Sequence, residues 1–244
     1  MPVDRIDRPV RILGVLGQYP PDELERRRTA MLDAAPPSVE MGFSYMEGNV
    51  FRKGLTNLHR AQVGPVVARE VRDAQQQGYD AAVPYGTLDL GVEESRHVAD
   101  IPVIGPGRTA ASVASTLADR FAVVVYDTPH VIMQVRLLRT WGVEALVTSI
   151  RPVDILITEM VANVERLRET FVRVAREAVE REGAQLIVPM GMTMVPVLLS
   201  ASSLARDIGV PVLDPLSLSL GLAETLARNG VTNSRVTYPA ASLD

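Results

Sequence analysis

Val83-Pro84-Tyr85-Gly86-Thr87-Leu88-Asp89 decides how this chain is read. A short apolar strand, Ala81 to Val83, ends there in a turn that opens toward a helix. The design returns at Val188-Pro189-Met190-Gly191-Met192-Thr193, with the two glycines 105 positions apart (191 − 86). The segment after each turn also repeats. Ile101-Pro102-Val103-Ile104-Gly105-Pro106 is answered by Val210-Pro211-Val212-Leu213-Asp214-Pro215, and a helical run comes next in both cases. Two copies are too few for a solenoid and point to two similar lobes with the Gly86 and Gly191 turns at the seam. Residues 1–104, completed by 214–244, form one lobe on this reading, and 105–213 the other.

Working outward, Val10 to Leu16 is an apolar, β-branched run, so a buried strand that stops at Gly17-Gln18-Tyr19. Pro20-Pro21-Asp22-Glu23 starts a helix, with proline and acids suited to the first turn. A second strand runs from Ser38 to Tyr45. A polar connection containing Glu47, Arg52, Lys53 and His59 precedes a helix from about Pro65 to Gln77. Phe121 to Tyr126 reads as a strand buried on both faces, and Asp127-Thr128-Pro129 caps the helix after it. Further strands are expected at Ile101–Ile104, Ala145–Ile150 and Val210–Leu213. Met160, Val164, Leu167, Phe171, Val174 and Ala178 form a helical stripe closed by Gly183. Strands alternating with helices give an α/β fold: two pseudo-symmetric lobes, each a parallel sheet flanked by helices. Ligands in such folds sit at the carboxyl ends of strands. Both repeated turns, Gly17-Gln18 and Tyr126-Asp127-Thr128 all lie there.

The 244 residues are 47% hydrophobic and 22% charged, enough for a substantial core, and the net charge of −4 gives no reason to expect nucleic acid as a partner. Arg26-Arg27-Arg28, the densest basic run, reads as a solvated helix face. There is no cysteine, which removes disulfides, thiolate nucleophiles and Cys-ligated metals together. No apolar run is long enough to span a bilayer, and a cytoplasmic enzyme is the default expectation.

Gly86-Thr87 and Gly191-Met192-Thr193 each offer backbone N–H groups and a hydroxyl at a strand-to-helix turn, the equipment for holding carboxylate oxygens or an enolate. Read alone, each glycine is only a tight turn; the pairing argues for an anion site. Asp89 is a general base or a cap for the helix near Gly91. Glu47 is a site carboxylate or a solvated one, and His130 a substrate donor or a surface histidine. Tyr85 and Tyr126 end strands as cleft-lining phenols or packing residues. Met190 and Met192 read as an apolar wall. The three histidines have no metal-ligand spacing. Gly105-Pro106-Gly107-Arg108-Thr109-Ala110 fits a dinucleotide fingerprint, with Asp127 20 positions after Gly107 (127 − 107). Pro106 removes one N–H from that turn, and the internal repeat explains the segment without a cofactor.

At Gly78-Tyr79-Asp80-Ala81-Ala82-Val83, Asp100 to Gly105, Gly183 to Val188 and Gly209 to Asp214 the sequence resembles the aspartate/glutamate racemase superfamily, most closely its hydantoin racemase branch. The resemblance covers nearly the whole chain. It implies two pseudo-symmetric lobes with the active site between them, neither metal nor cofactor, an oligomer of identical chains, and one cysteine per lobe as acid and base. Counting from the matched motifs, those cysteines fall on Gly86 and Gly191. Two-thiol racemisation therefore cannot operate. Gly86-Thr87 resembles the corresponding turn of arylmalonate decarboxylases, which stabilises an enediolate, but the single cysteine those enzymes keep is missing as well. The resemblance thus implies a cofactor-independent lyase, decarboxylase or isomerase acting on a small carboxylate or cyclic amide. Proton transfer would fall to Asp89, Glu47, Tyr85, Tyr126 or His130. Gly17, Gln18, Gly86, Thr87, Asp127, Thr128, Met190, Gly191, Met192 and Thr193 would line the site. A racemase with non-thiol bases, a non-catalytic anion-binding protein and a nicotinamide enzyme are the rival readings.

Overall fold

A computed structural model describes residues 6–46 and 57–243. In chain order the elements are β1 (Val10–Leu16), α1 (Pro21–Ala34), β2 (Val39–Tyr45), α2 (Asn57–Gln76), β3 (Ala81–Pro84), α3 (Val92–Val98), α4 (Pro106–Leu117), β4 (Phe121–Val125) and α5 (Thr128–Thr140). They continue with β5 (Val147–Pro152), α6 (Ile157–Met160), α7 (Val164–Glu182), β6 (Ile187–Pro189), α8 (Ala201–Ile208) and α9 (Pro215–Arg228). The chain divides into two compact units, Met1–Pro106 with Ser217–Asp244, and Gly107–Leu216. Each holds a parallel three-stranded sheet flanked by helices, in the order β2-β1-β3 in the first unit and β5-β4-β6 in the second.

The central strands explain themselves. β4 is Phe-Ala-Val-Val-Val, buried at every position, and β1 is buried at all but Arg11. A strand covered on both faces needs an unbroken apolar run, and branched side chains suit the pleat. In the first unit Leu13, Val15, Val67, Val71, Ala82 and Val103 share one cluster. In the second, Leu167, Phe171, Val174, Ala175 and Ala178 turn the stripe of α7 onto Ala122, Val124 and Ile187. α7 ends where Gly183 takes φ 72°, a left-handed C-cap that glycine adopts without a Cβ clash.

The repeat extends to pairing register. Val15 pairs with Pro84 and Val124 with Pro189. Tyr85 N–H donates to Val15 O at 2.9 Å, and Met190 N–H to Val124 O at 2.8 Å. The two segments expected as strands at Ile101–Ile104 and Val210–Leu213 are reduced to single bridges, Ala82↔Val103 and Ile187↔Val212. Pro102 and Pro211 have no N–H to extend either ladder. α2 begins well before Pro65 and runs through it, although proline there removes the bond to the carbonyl of Ala61. Arg27 is not solvated: it is 1% exposed, pairs with Glu23 and stacks 4.0 Å over the Tyr19 ring. Its neighbours Arg26 and Arg28 are exposed.

The C-terminal segment is strapped to the first unit. Arg235 donates to the carbonyls of Arg96 (2.9 Å) and Ala99 (2.8 Å) and pairs with Asp100, while Asn233 donates to Ile101 O at 2.8 Å. Among the described residues no helix is long and apolar enough to cross a membrane.

Candidate functional site

The end of β4 carries the densest chemistry of the second unit. Asp127 is the N-cap of α5, with Pro129 in the first turn. One oxygen, Oδ1, accepts from the backbone N–H of His130 at 3.0 Å and lies 2.6 Å from its Nδ1. The carboxylate can only accept, so a proton sits on Nδ1, and in the neutral imidazole the lone pair is on Nε2. His130 is 8% exposed, so it is not a surface histidine. The Tyr126 ring meets the imidazole edge to face, centroids 5.3 Å apart and planes 80° apart. Thr128 Oγ1 lies 3.5 Å from Asp154, which belongs to no sequence motif and is held at φ 50°.

Tyr126 also reaches the repeated turn. A Cβ built on Gly191 would lie 2.6 Å from Tyr126 Cζ, 2.7 Å from its Cε1 and 2.8 Å from Met194 Cε. The space into which a side chain at Gly191 would project is therefore filled by a phenol. Thr193 N–H donates to the Tyr126 hydroxyl at 3.1 Å. An N–H from the turn expected to hold a substrate anion thus serves Tyr126 instead. Met190, Met192 and Thr193 are buried.

In the first unit the matching turn is open. Gly86 has φ +128° and, among the described residues, nothing within 4 Å of its would-be Cβ. The register explains the contrast. Two residues past the pairing of Val15 with Pro84 stands Gly17; two past Val124 with Pro189 stands Tyr126. One strand-end position is bare in the first unit and carries a phenol in the second. Gly17 is buried, Gln18 exposed, Tyr85 half-buried and Thr87 buried. Asp89 does not cap α3, whose N-cap is Gly91 without a side-chain bond. Its carboxylate sits against Gly105, where an added Cβ would overlap it, just before the first residue of α4, and its backbone is left-handed at φ 51°. Glu47 lies outside the described residues.

The structure therefore brings Tyr126, Asp127, His130, Gly191 and Thr193 together in one unit, and Gly86, Thr87 and Asp89 along one turn of the other. The contact between Tyr126 and Gly191 is hidden in the sequence because it is made across strands; its one local signal is the misalignment of Gly17 with Tyr126 in the repeat.

Paired parallel α/β units with matched strand-end turns, one furnished with acid–base side chains, define a class of two-unit enzyme folds. The chain belongs to the Asp/Glu/hydantoin racemase family, whose model matches residues 28–223. The hydantoin racemase of Pseudomonas sp. (strain NS671) is 31% identical over 176 residues, covering 70% of this chain and 68% of that protein. Among solved structures, allantoin racemase from Pseudomonas fluorescens superposes with a TM-score of 0.85 at 24% identity, over 95% of this chain and 97% of that one. Unliganded arylmalonate decarboxylase gives 0.62 at 19% identity, over 89% and 92%. These two likenesses are of fold.

Proposed function

We propose that this chain is a cofactor-independent isomerase or lyase that moves a proton at the carbon beside a carbonyl, on a small cyclic amide or carboxylate, without thiols. The reading is carried by one observation: the Tyr126 ring fills the Cβ position of Gly191, where the resemblance puts the second thiol, so a titratable group has replaced a titratable group. The hydroxyl accepts the Thr193 N–H at 3.1 Å and carries a proton of its own to give. Burial of Met190, Met192 and Thr193 excludes water that would compete for that proton.

Family membership and the hydantoin racemase likeness make 5-monosubstituted hydantoins the first substrates to test, with α-aryl carboxylates second. The measurement is deuterium uptake from D2O at the carbon beside the carbonyl, followed by proton NMR. Wild type should exchange, and Tyr126→Phe should lose at least about a hundredfold, within the range of a positioned acid or base. A wild-type chain that binds members of both classes and exchanges none is a binding protein, and the proposal fails.

A further inference from the structure

We infer that Tyr126 and His130 act on the same face of the substrate, so that this chain exchanges the hydrogen at the reacting carbon without inverting the centre. The inference rests on the reading above, that the end of β4 is a proton-transfer site, and adds a second transfer group and a stereochemical course to it.

Both groups come from one strand-to-helix turn, four residues apart. Their rings are in direct edge-to-face contact at 5.3 Å between centroids. An acid and a base on opposite faces of one carbon each need to approach it to about 3–3.5 Å, with the substrate between them. Rings already touching leave no room for a substrate between them. Asp127 makes the imidazole a directed base: its Oδ1 fixes the proton on Nδ1, and Nε2 is the nitrogen that takes the substrate proton. Asp127 is a positioning residue, since it acts through His130.

The step balances without any co-reactant. Nε2 removes the proton, and the C–H electron pair moves into the carbonyl to give an enolate. The Tyr126 hydroxyl returns a proton to the same face of the carbon, leaving a phenolate that accepts the Thr193 N–H. The imidazolium proton then passes to the phenolate, and both groups are restored. In D2O the two acidic positions fill with deuterium between turnovers, so the carbon gains deuterium on the side it lost hydrogen.

The test uses single enantiomers of 5-benzylhydantoin and of 2-phenylpropionate with the full chain in D2O. NMR follows exchange and polarimetry follows inversion, each corrected for the rate in buffer alone. Exchange should outrun loss of rotation at least about tenfold. Equal rates overturn the same-face inference and leave the proposed function standing, whereas no exchange with either compound overturns the proposed function itself. Asp127→Asn is the companion variant. Asparagine caps a helix as well as aspartate but does not fix the tautomer, so kcat for exchange should fall at least about tenfold while KM and melting temperature hold. His130→Gln should show the same split. Unchanged kcat in both variants removes His130 from the mechanism.

Discussion

Gly191→Ala is the most direct probe of the geometry at the second turn. The added methyl would lie 2.6 Å and 2.7 Å from two Tyr126 ring carbons and 2.8 Å from Met194 Cε. Ordinary carbon–carbon contact is about 3.5–4.0 Å, so the overlap approaches 1 Å. Met194 can swing its terminal methyl aside. Tyr126 cannot move as cheaply, because its backbone follows the central strand, its hydroxyl is bonded to Thr193 and its ring edge lies on His130. Forcing one extra carbon into such packing costs about 1–3 kcal/mol. For a chain of this length each kcal/mol moves the melting temperature about 2–4 °C, so a fall of about 2–12 °C is expected by calorimetry or circular dichroism. The decisive measurement is a double-mutant cycle with Tyr126→Ala. Once the ring is gone the close contact left is the terminal methyl of Met194 at 2.8 Å, which can swing aside, and Gly191→Ala should become nearly neutral, helped by the reduced entropy of the unfolded chain. A coupling of at least about 1 kcal/mol is expected for residues in direct contact. Equal destabilisation in the two backgrounds would refute the claim that Tyr126 occupies this position.

Other contacts give further expected outcomes. Gly86→Ala should cost about 1–3 kcal/mol for a different reason, its φ of +128°, and truncating any neighbour should not rescue it; chemical denaturation of Gly86→Ala alone and with Thr87→Ala checks this. At Asp89, asparagine tolerates the left-handed backbone and keeps a polar group beside Gly105, so Asp89→Asn should stay within about 0.5 kcal/mol of wild type while Asp89→Ala loses about 1–3 kcal/mol. Burial pulls the Glu182 carboxyl upward, but the Arg151 guanidinium bonded to it holds it below its ordinary value of 4.5. A depressed pKa stabilises the fold above the unfolded value and is lost as pH falls through the lower folded one; Glu182→Gln should therefore flatten the fall in melting temperature below pH 4.5. Arg235→Ala removes the guanidinium bonded to Arg96 O, Ala99 O and Asp100, and limited proteolysis should cut the C-terminal segment earlier without unfolding the rest.

The strands and the long helix are readable in the sequence because their signals are local. β1 and β4 announce themselves as apolar β-branched runs, α7 by its stripe from Leu167 to Ala178, and α5 by Asp127 and Pro129. The duplication is readable because proline and glycine recur at fixed places. The features that escape depend on partners distant in sequence. Pro102 and Pro211 look like strand residues until the ladder has to be extended by an N–H they lack. Arg27 looks solvated between two solvated arginines; only the turn of α1 shows that Tyr19 and Glu23 lie beside it. Asp89 reads as a cap for the nearest helix, α3, yet its carboxylate is seated on Gly105, at the start of the next one. At the site, sequence pairs Gly86 with Gly191 and misses that their surroundings differ, because the difference lies on the adjacent strand at Gly17 and Tyr126.

That difference lets the chain serve as its own comparator. Gly17 and Tyr126 hold one position in two copies of one register, so each unit shows what the other would be with a single side chain exchanged. The turn is common property of the two units, and its chemistry is decided by the neighbouring strand. One substitution at the end of a central strand therefore changes what a turn faces with no change in the turn itself. A comparison confined to the turn positions would miss this difference, which lies one strand away.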